Sequence, residues 1–253
     1  MPASVGIVIP AYRADPETVN NFTTLLHETI GGTVHVEFDA PTQETLDRLS
    51  EPDSINTCSG RRGKGRAITE GFEFLSTDIL AFADADAATP AASVADVVES
   101  VRSRQTDLAI GSRRHPDANI EAHQTHLRRS MGDVFAWTAR HLLPTSAYDY
   151  QCGAKGLTAE AWQQLRPHLY ESGFAWDLEL IAMAGAKGLR IEEIPVTWRD
   201  DPESTVDPFS AAVNMASALV SIRHRVKAMD GHPIHTTLDR VQRSSPSPLL
   251  GDD

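Results

Sequence analysis

Two aspartates one residue apart, Asp84 and Asp86, close a short apolar run in the stretch ILAFADADAATP, Ile79 to Pro90. The run reads as a buried strand that delivers carboxylates to a loop, and the small residues and Pro90 lead into a helix. In extended backbone, residues i and i+2 point to one side. The two carboxylates can therefore face one point, where a cation would relieve their repulsion. Hard oxygen ligands suit Mg²⁺ or Mn²⁺, and Mg²⁺ usually binds one or two carboxylates plus substrate phosphates. The stretch thus points to a metal–diphosphate site. Its rival is a pair of solvated loop aspartates, since Asp-X-Asp is a common pattern.

Other groups add to this chemistry. Ser59-Gly60-Arg61-Arg62-Gly63-Lys64-Gly65 is a glycine-rich basic loop before residues at helical spacing (Ala67, Ile68, Gly71, Phe72, Leu75). Cations and backbone N–H groups at a helix start suit an anionic phosphate, although the loop is not a Walker A pattern. Arg113 with Arg114, and Arg128 with Arg129, form two pairs in an otherwise acidic chain. The guanidinium fork matches phosphate oxygens, so the four together point to an acceptor phosphate, with plain surface solubility as the alternative. Asp177 and Glu179 open a helix, where the dipole favours carboxylates, so capping competes with catalysis there. His123 and His126 read as surface histidines, and Trp162, Trp198 and Phe209 as core rather than ligand platforms.

These groups need a scaffold. Val5 to Ile9 is a β-branched strand stopped by Pro10, and Pro16 to Ile30 is a helix ended by Gly31-Gly32. A second strand spans Val34 to Phe38, a short helix capped by Thr42 runs to Leu49, and a third strand covers Ser54 to Thr57. The Ile79 strand, a helix from Ala91 to Arg104 and a strand from Leu108 to Gly111 follow. Alternating strands and helices of these lengths predict an α/β fold: a central, mostly parallel sheet flanked by helices, with its site at the carboxyl ends of the strands. Beyond Gly111 lie a long helix from His123 to Leu143, a strand from Ala154 to Leu157, helices from Ala159 to Leu165 and Trp176 to Lys187, and an edge strand from Ile191 to Trp198 containing Pro195. The Trp176 helix is expected to bury Trp176, Leu180, Ile181 and Ala184 on one face. A C-terminal helix from Pro208 to Met229 is expected to carry an apolar stripe through Phe209, Val213, Ala216 and Val220, with a basic end at Arg223 to Lys227. The expected organisation is one domain over residues 1–229 and a disordered tail over 230–253.

Composition sets the bounds. With 253 residues the chain can bury one sizeable core. The formal charge of -12, with 35 acidic against 23 Lys and Arg residues, repels nucleic-acid backbones overall and argues against a polyanion-binding surface. Two cysteines, Cys58 and Cys152, are too few for a disulfide framework or a thiolate zinc site. No signal-like leader or long uncharged apolar segment stands out. A cytoplasmic protein is expected, with peripheral contact at a membrane face if the C-terminal helix lies on an anionic bilayer.

With these motifs in view, the chain resembles family 2 glycosyltransferases of the nucleotide-sugar-binding GT-A fold from about Val5 to Lys227. The markers are VIPAY (Val8 to Tyr12), GKGRA (Gly63 to Ala67), FADADAATP (Phe82 to Pro90) and IGSRR (Ile110 to Arg114). DYQCGAKGLT (Asp149 to Thr158), AWDLEL (Ala175 to Leu180) and EIPVTWRDDPES (Glu193 to Ser204) resemble the dolichyl-phosphate glucosyltransferase branch, a close relative of the dolichyl-phosphate mannose synthases. The resemblance implies inverting, metal-dependent transfer of a hexose, glucose foremost, from UDP-glucose to a polyprenyl or dolichyl phosphate. It implies that Pro10, Ala11, Tyr12 and Asp39 border the nucleotide, that Lys64 lies near the uridine or diphosphate, and that Asp84 and Asp86 hold Mg²⁺ or Mn²⁺. Gln151, Cys152 and Gly153 would line the sugar pocket, while Arg113, Arg128 and Arg129 would address the acceptor phosphate. Asp177 would stand where relatives with hydroxyl acceptors keep a catalytic base. The sequence departs from the branch in two places: Phe38-Asp39 is followed by Ala-Pro, and Ser204 is followed by Thr205 where a lysine is usual. Transfer to a soluble or saccharide hydroxyl, and a non-catalytic sugar-nucleotide-binding subunit of a membrane complex, are the rival readings. The sugar and the oligomeric state are not written in these residues.

Overall fold

The computed structural model describes residues 3–121, 135–199, 208–229 and 248–250, with side chains from residue 214 onward in the last helix. Its frame is a seven-stranded sheet built from β1 (Val5–Tyr12), β2 (Thr33–Asp39), β3 (Ser54–Cys58), β4 (Ile79–Ala83), β5 (Leu108–Ser112), β7 (Ala154–Thr158) and β8 (Ile191–Pro195). The spatial order is β3-β2-β1-β4-β7-β5-β8. All neighbours run parallel except β7, which is antiparallel to both β4 and β5. A two-stranded ribbon, β6 (Asn119–Ile120) with β9 (Thr197–Trp198), joins the loops after β5 and β8.

Period-two alternation sends each strand's side chains to two cores. Ile7, Ile9, Ala81 and Ala83 meet α1 (Pro16–Ile30) and α4 (Ala91–Arg102) on one face, through Val19, Phe22, Leu26, Val94, Val97 and Val98. Val8, Leu80, Phe82 and Leu157 meet α3 (Lys64–Phe74), α6 (Ala159–Leu165), α7 (Trp176–Ala186) and α8 (Pro208–Met229) on the other. A short helix α2 (Gln43–Asp47) and a helical segment α5 at residues 135–142 complete the set. Asp15 caps α1 through the Thr18 N–H, Pro16 fills the first turn, and Gly31 closes it at φ 69°.

Several expectations need correcting. Pro10 does not stop β1, which pairs with β2 as far as Tyr12 but with β4 only as far as Val8. One side of the strand is thus without a ladder around Pro10, which tolerates the missing N–H. Helix α7 is not one-sided: every residue from Trp176 to Ala184 is buried, because the sheet, α3, α6 and α8 surround it. In α8 the buried stripe is Met215, Ala218, Leu219, Ile222 and Val226, while Ala216 is exposed and Val220 is 66% exposed. Two stripes share the 3–4 spacing, and burial selects the one with the larger side chains. Phe209 and Val213 lie outside the described side chains. Residues 248–250, within the stretch expected to be disordered, rest on the core: Leu249 donates its N–H to the Leu169 carbonyl at 2.8 Å. Among the described residues, no helix is long and apolar enough to cross a membrane.

Candidate active site

Parallel strands deliver their carboxyl ends to one edge of the sheet, where ligands of open α/β folds bind. Pro10, Ala11 and Tyr12 end β1, Asp39 ends β2, and Asp84 follows β4. The reversed strand β7 contributes its amino end instead: Ala154 pairs with Ala83, so Gln151, Cys152 and Gly153 reach the same edge.

Asp84 and Asp86 do not continue the strand. The backbone turns at once, with Ala87 at φ 52° and its N–H donated to the Asp84 carbonyl at 3.2 Å. The i, i+2 alternation assumed for extended chain therefore does not apply to these carboxylates. Asp86 is exposed and accepts the Ala88 N–H at 3.0 Å. Asp84 is fixed from below by its N–H, which donates to the Gly153 carbonyl at 2.9 Å. A Cβ on Gly153 would stand 2.3 Å from Asp84 Oδ2, so any larger residue there must displace the Asp84 carboxylate.

Lys64 Nζ lies 2.9 Å from Asp84 Oδ1 and 3.1 Å from Asp177 Oδ2. Lys155 Nζ, fully buried, holds the other Asp177 oxygen at 2.6 Å and donates to the Cys152 carbonyl at 2.8 Å. Both ammonium groups sit over the Phe82 ring, at 5.0 and 5.4 Å. The result is an alternating row: Asp84, Lys64, Asp177, Lys155. Burial alone would raise the Asp177 carboxyl, but Lys155 and Lys64 outweigh it and hold it below the ordinary value. Burial would likewise lower the Lys64 ammonium, yet Asp177 and Asp84 hold it well above its usual range.

Lys64 begins α3, whose N-cap Gly63 has φ 98° and would place a Cβ 2.5 Å from the Ser172 carbonyl. The preceding loop is clamped by Asp39, which accepts the Arg62 and Gly63 N–H groups at 2.7 and 3.1 Å and the Arg62 Nε at 2.7 Å. Arg62 also pairs with Glu37 and Glu70, and buried Glu37 accepts from His35 and Asn56. Asp39 thus organises the basic loop with both of its oxygens. Arg61 lies over the Tyr12 ring at 4.4 Å.

Arg113 binds Asp149 through Nε at 2.7 Å and Nη2 at 2.9 Å, and Arg114 stands 3.6 Å from the same carboxylate. Burial alone would raise the Asp149 carboxyl, but Arg113 drives it well below the carboxylate range. The Arg113 fork, expected to face a phosphate, is therefore committed within the protein. Arg128, Arg129, His123 and His126 lie outside the described residues. Gln151 is exposed, with Nε2 3.4 Å from Met215 Sδ, and Cys152 is buried.

Neither carboxylate of the AWDLEL motif caps α7 itself. Glu179 accepts the Tyr170 and Glu171 N–H groups at 2.7 and 2.8 Å, and Arg225 Nη2 stands 2.7 Å from its other oxygen. Burial pushes its carboxyl up to about 7, against the pull of Arg225. An unfolded glutamate titrates near 4.3, so the unfolded chain ionises first and stability falls as pH rises from about 4.3 to about 7. Glu179→Gln is expected to remove that fall, so its stability relative to wild type should improve between pH 5 and pH 8 in urea titrations; a gap that does not change with pH would refute the assignment.

The residues that sequence reasoning left without a role are Lys155, Asp149 and Glu37. For Lys155 a signal was available: one of only four lysines stands inside a short apolar strand, AKGLT.

Asp84 and Asp86 fit a hard divalent cation. Asp84 already accepts a cationic partner and is one-third exposed, Asp86 is open to solvent, and among the described residues no third His, Cys or acidic ligand gathers with them. Water and phosphate oxygens would have to complete the shell, which is how Mg²⁺ is usually held.

Comparison with known proteins identifies the fold and the family. Crystal structures of glucosyl-3-phosphoglycerate synthase from Mycobacterium tuberculosis share the fold: one in complex with Mn²⁺, UDP and glucosyl-3-phosphoglycerate superposes with TM-score 0.69 at 15% identity, covering 87% of this chain and 80% of that one. The expected GT-A-type architecture is thereby borne out. Glycosyltransferase AglD of Haloferax volcanii is 30% identical over 85% of this chain and 36% of its own length. The dolichyl-phosphate beta-glucosyltransferase of Saccharomyces cerevisiae is 33% identical over 65% of this chain and 53% of its own, and that of Dictyostelium discoideum is 30% identical over 65% and 51%. The chain thus spans from about a third to about half the length of these relatives. The family described as Glycosyl transferase family 2 matches residues 7–163, more than half of the chain, and the chain belongs to that family.

Proposed function

We propose that the chain transfers a hexose, glucose foremost, from UDP-glucose to the phosphate of a polyprenyl or dolichyl phosphate, with inversion at the anomeric carbon. One observation carries the choice of acceptor: Asp177, the carboxylate next in line behind Asp84, is clamped between two ammonium groups and held below its ordinary pKa. Such a group is a poor proton acceptor. A hydroxyl nucleophile needs a base, whereas a phosphate monoester, with its second pKa about 6, is mostly anionic at neutral pH and needs only to be held. The dolichyl-phosphate beta-glucosyltransferases among the relatives support the same acceptor.

In this reading Pro10, Ala11, Tyr12 and Asp39 border the nucleotide, and Gln151, Cys152 and Gly153 line the sugar. Mg²⁺ or Mn²⁺ held by Asp84 and Asp86 would supply neutralisation of the charge that builds on the departing diphosphate. Lys64 adds a second cation in a water-poor setting, where a fixed charge acts strongly. Arg128 and Arg129 hold the acceptor phosphate, while Arg113 is tied to Asp149. The chain works peripherally, at the face of the membrane that holds the lipid.

The test is transfer of label from UDP-[¹⁴C]glucose with Mn²⁺ and a polyprenyl phosphate in detergent. Label is expected in the organic phase, and Asp84→Asn is expected to lower it by about 10²-fold or more, the scale of losing a charge-stabilising group. Label appearing only in water-soluble products would favour a hydroxyl acceptor; binding of the nucleotide sugar with no release of UDP would favour a non-catalytic subunit.

A further inference from the structure

We infer that Lys64 is a movable cation: it occupies Asp84 while the donor is absent, and it swings to the diphosphate when a divalent ion takes its place, pivoting on Asp177. The inference deepens the donor reading above and rests on it.

Three observations support it. First, Lys64 Nζ sits on Asp84 Oδ1 at 2.9 Å, so one of the two carboxylates suited to the metal already carries a cation. An ammonium and a divalent ion cannot share that oxygen, because their repulsion would be felt in a setting where Lys64 is only 11% exposed. Second, charge favours joint arrival. Asp84, Asp86 and Asp177 carry three negative charges against two positive ones on Lys64 and Lys155, so a divalent ion arriving alone would leave one positive charge in excess. A nucleoside diphosphate arriving with it offsets that excess and offers Lys64 a new partner. Third, the pivot is fixed and the arm is a long, flexible stem. Asp177 is locked from behind by Lys155, itself anchored on the Cys152 carbonyl, whereas Lys64 has a four-carbon stem starting at the first residue of α3. Leaving Asp84 does not leave the ammonium stranded, since Asp177 Oδ2 remains at 3.1 Å.

The device makes metal and nucleotide binding mutually dependent. By linkage each then tightens the other by the same factor. Removing the lysine has opposite effects on the two ligands, a sign pattern that plain loss of structure does not produce. In Lys64→Met, Mn²⁺ binding to nucleotide-free protein, read from the free-ion signal in electron paramagnetic resonance, is expected to tighten by roughly tenfold, while UDP binding in the presence of Mn²⁺ weakens by roughly tenfold, within the ordinary range of coupling between sites. Lys64→Gln should show the same pair of signs and serves if the methionine variant does not fold. Mn²⁺ binding that weakens or stays unchanged in both variants overturns the inference and leaves the donor reading standing. If wild type binds neither Mn²⁺ nor UDP when both are supplied, the donor reading falls and the inference with it.

Discussion

Alanine at position 153 is expected to remove most of the transfer activity while leaving the fold in place. Gly153 is not among the glycines with positive φ, so an alanine backbone is unstrained there. The cost is steric and local. The new Cβ would lie 2.3 Å from Asp84 Oδ2 and 2.7 Å from its Cγ, distances that real Cβ atoms do not hold, and a tight 3.0 Å from its Cβ. The two backbones cannot part freely, because the Asp84 N–H donates to the Gly153 carbonyl at 2.9 Å and the flanking residues pair in register. Asp84 must therefore rotate, which carries its carboxylate off Lys64. A misplacement of about 1 Å at a reacting centre typically costs about 10²-fold. We expect Gly153→Ala to lower kcat/KM for UDP-glucose by about that factor, with a melting point within a few degrees of wild type. Gly156→Ala is the control, since three residues further on, within β7, its Cβ would meet nothing closer than 3.5 Å and activity should hold. Unaltered kcat/KM in Gly153→Ala would show that the aim of Asp84 does not matter.

That steric lock was not legible in the residue string, although its parts were. β-branched runs, prolines at helix starts and Gly31 at a helix end gave most of the elements in their places, because those signals are local. The edge that holds the site was legible as well, since Asp39, Asp84 and Ser112 all follow or close parallel strands. What was hidden depends on pairing between distant segments. Nothing in AKGLT says that this strand inserts antiparallel between β4 and β5, and without that insertion neither Gly153 nor Lys155 can be set beside Asp84. Arg113 is a case of the same kind: the two arginine pairs together read as a phosphate site, and Asp149, 36 positions from Arg113, closes on its fork. In α8, two apolar rows share one spacing, and the row read from the sequence, through Ala216 and Val220, is exposed while Met215, Leu219 and Ile222 are buried. Charge partners and register are settled by tertiary packing, and local propensity does not encode them.

The buried row of charges yields the largest stability effect. Lys155→Met deletes an ammonium that is fully buried and leaves Asp177 Oδ1 and the Cys152 carbonyl without their donor. Breaking a buried ion pair from one side costs about 3–5 kcal/mol, because the remaining charge stays in a low-dielectric site uncompensated. Against a total stability of about 5–15 kcal/mol that is a large share, on the order of 10 °C in melting temperature for a chain of this size. Adding Asp177→Asn to Lys155→Met should return part of the loss, since the amide carries no charge to strand, and the double variant should be more stable than the sum of the singles predicts. The pH dependence has a definite sign. In wild type the lysines hold the Asp177 carboxyl below its ordinary value, so its contribution is present above the unfolded pKa of about 3.9 and is lost as pH falls through the lower folded value. In Lys155→Met that depression weakens and burial, which raises the carboxyl, counts for more. The variant's deficit is then greatest at neutral pH and narrows as pH falls toward 4. Urea titrations of the two singles and the double at pH 7 and pH 4 measure both effects: strictly additive losses, or a deficit that widens in acid, would mean that Asp177 does not depend on Lys155 for its charge.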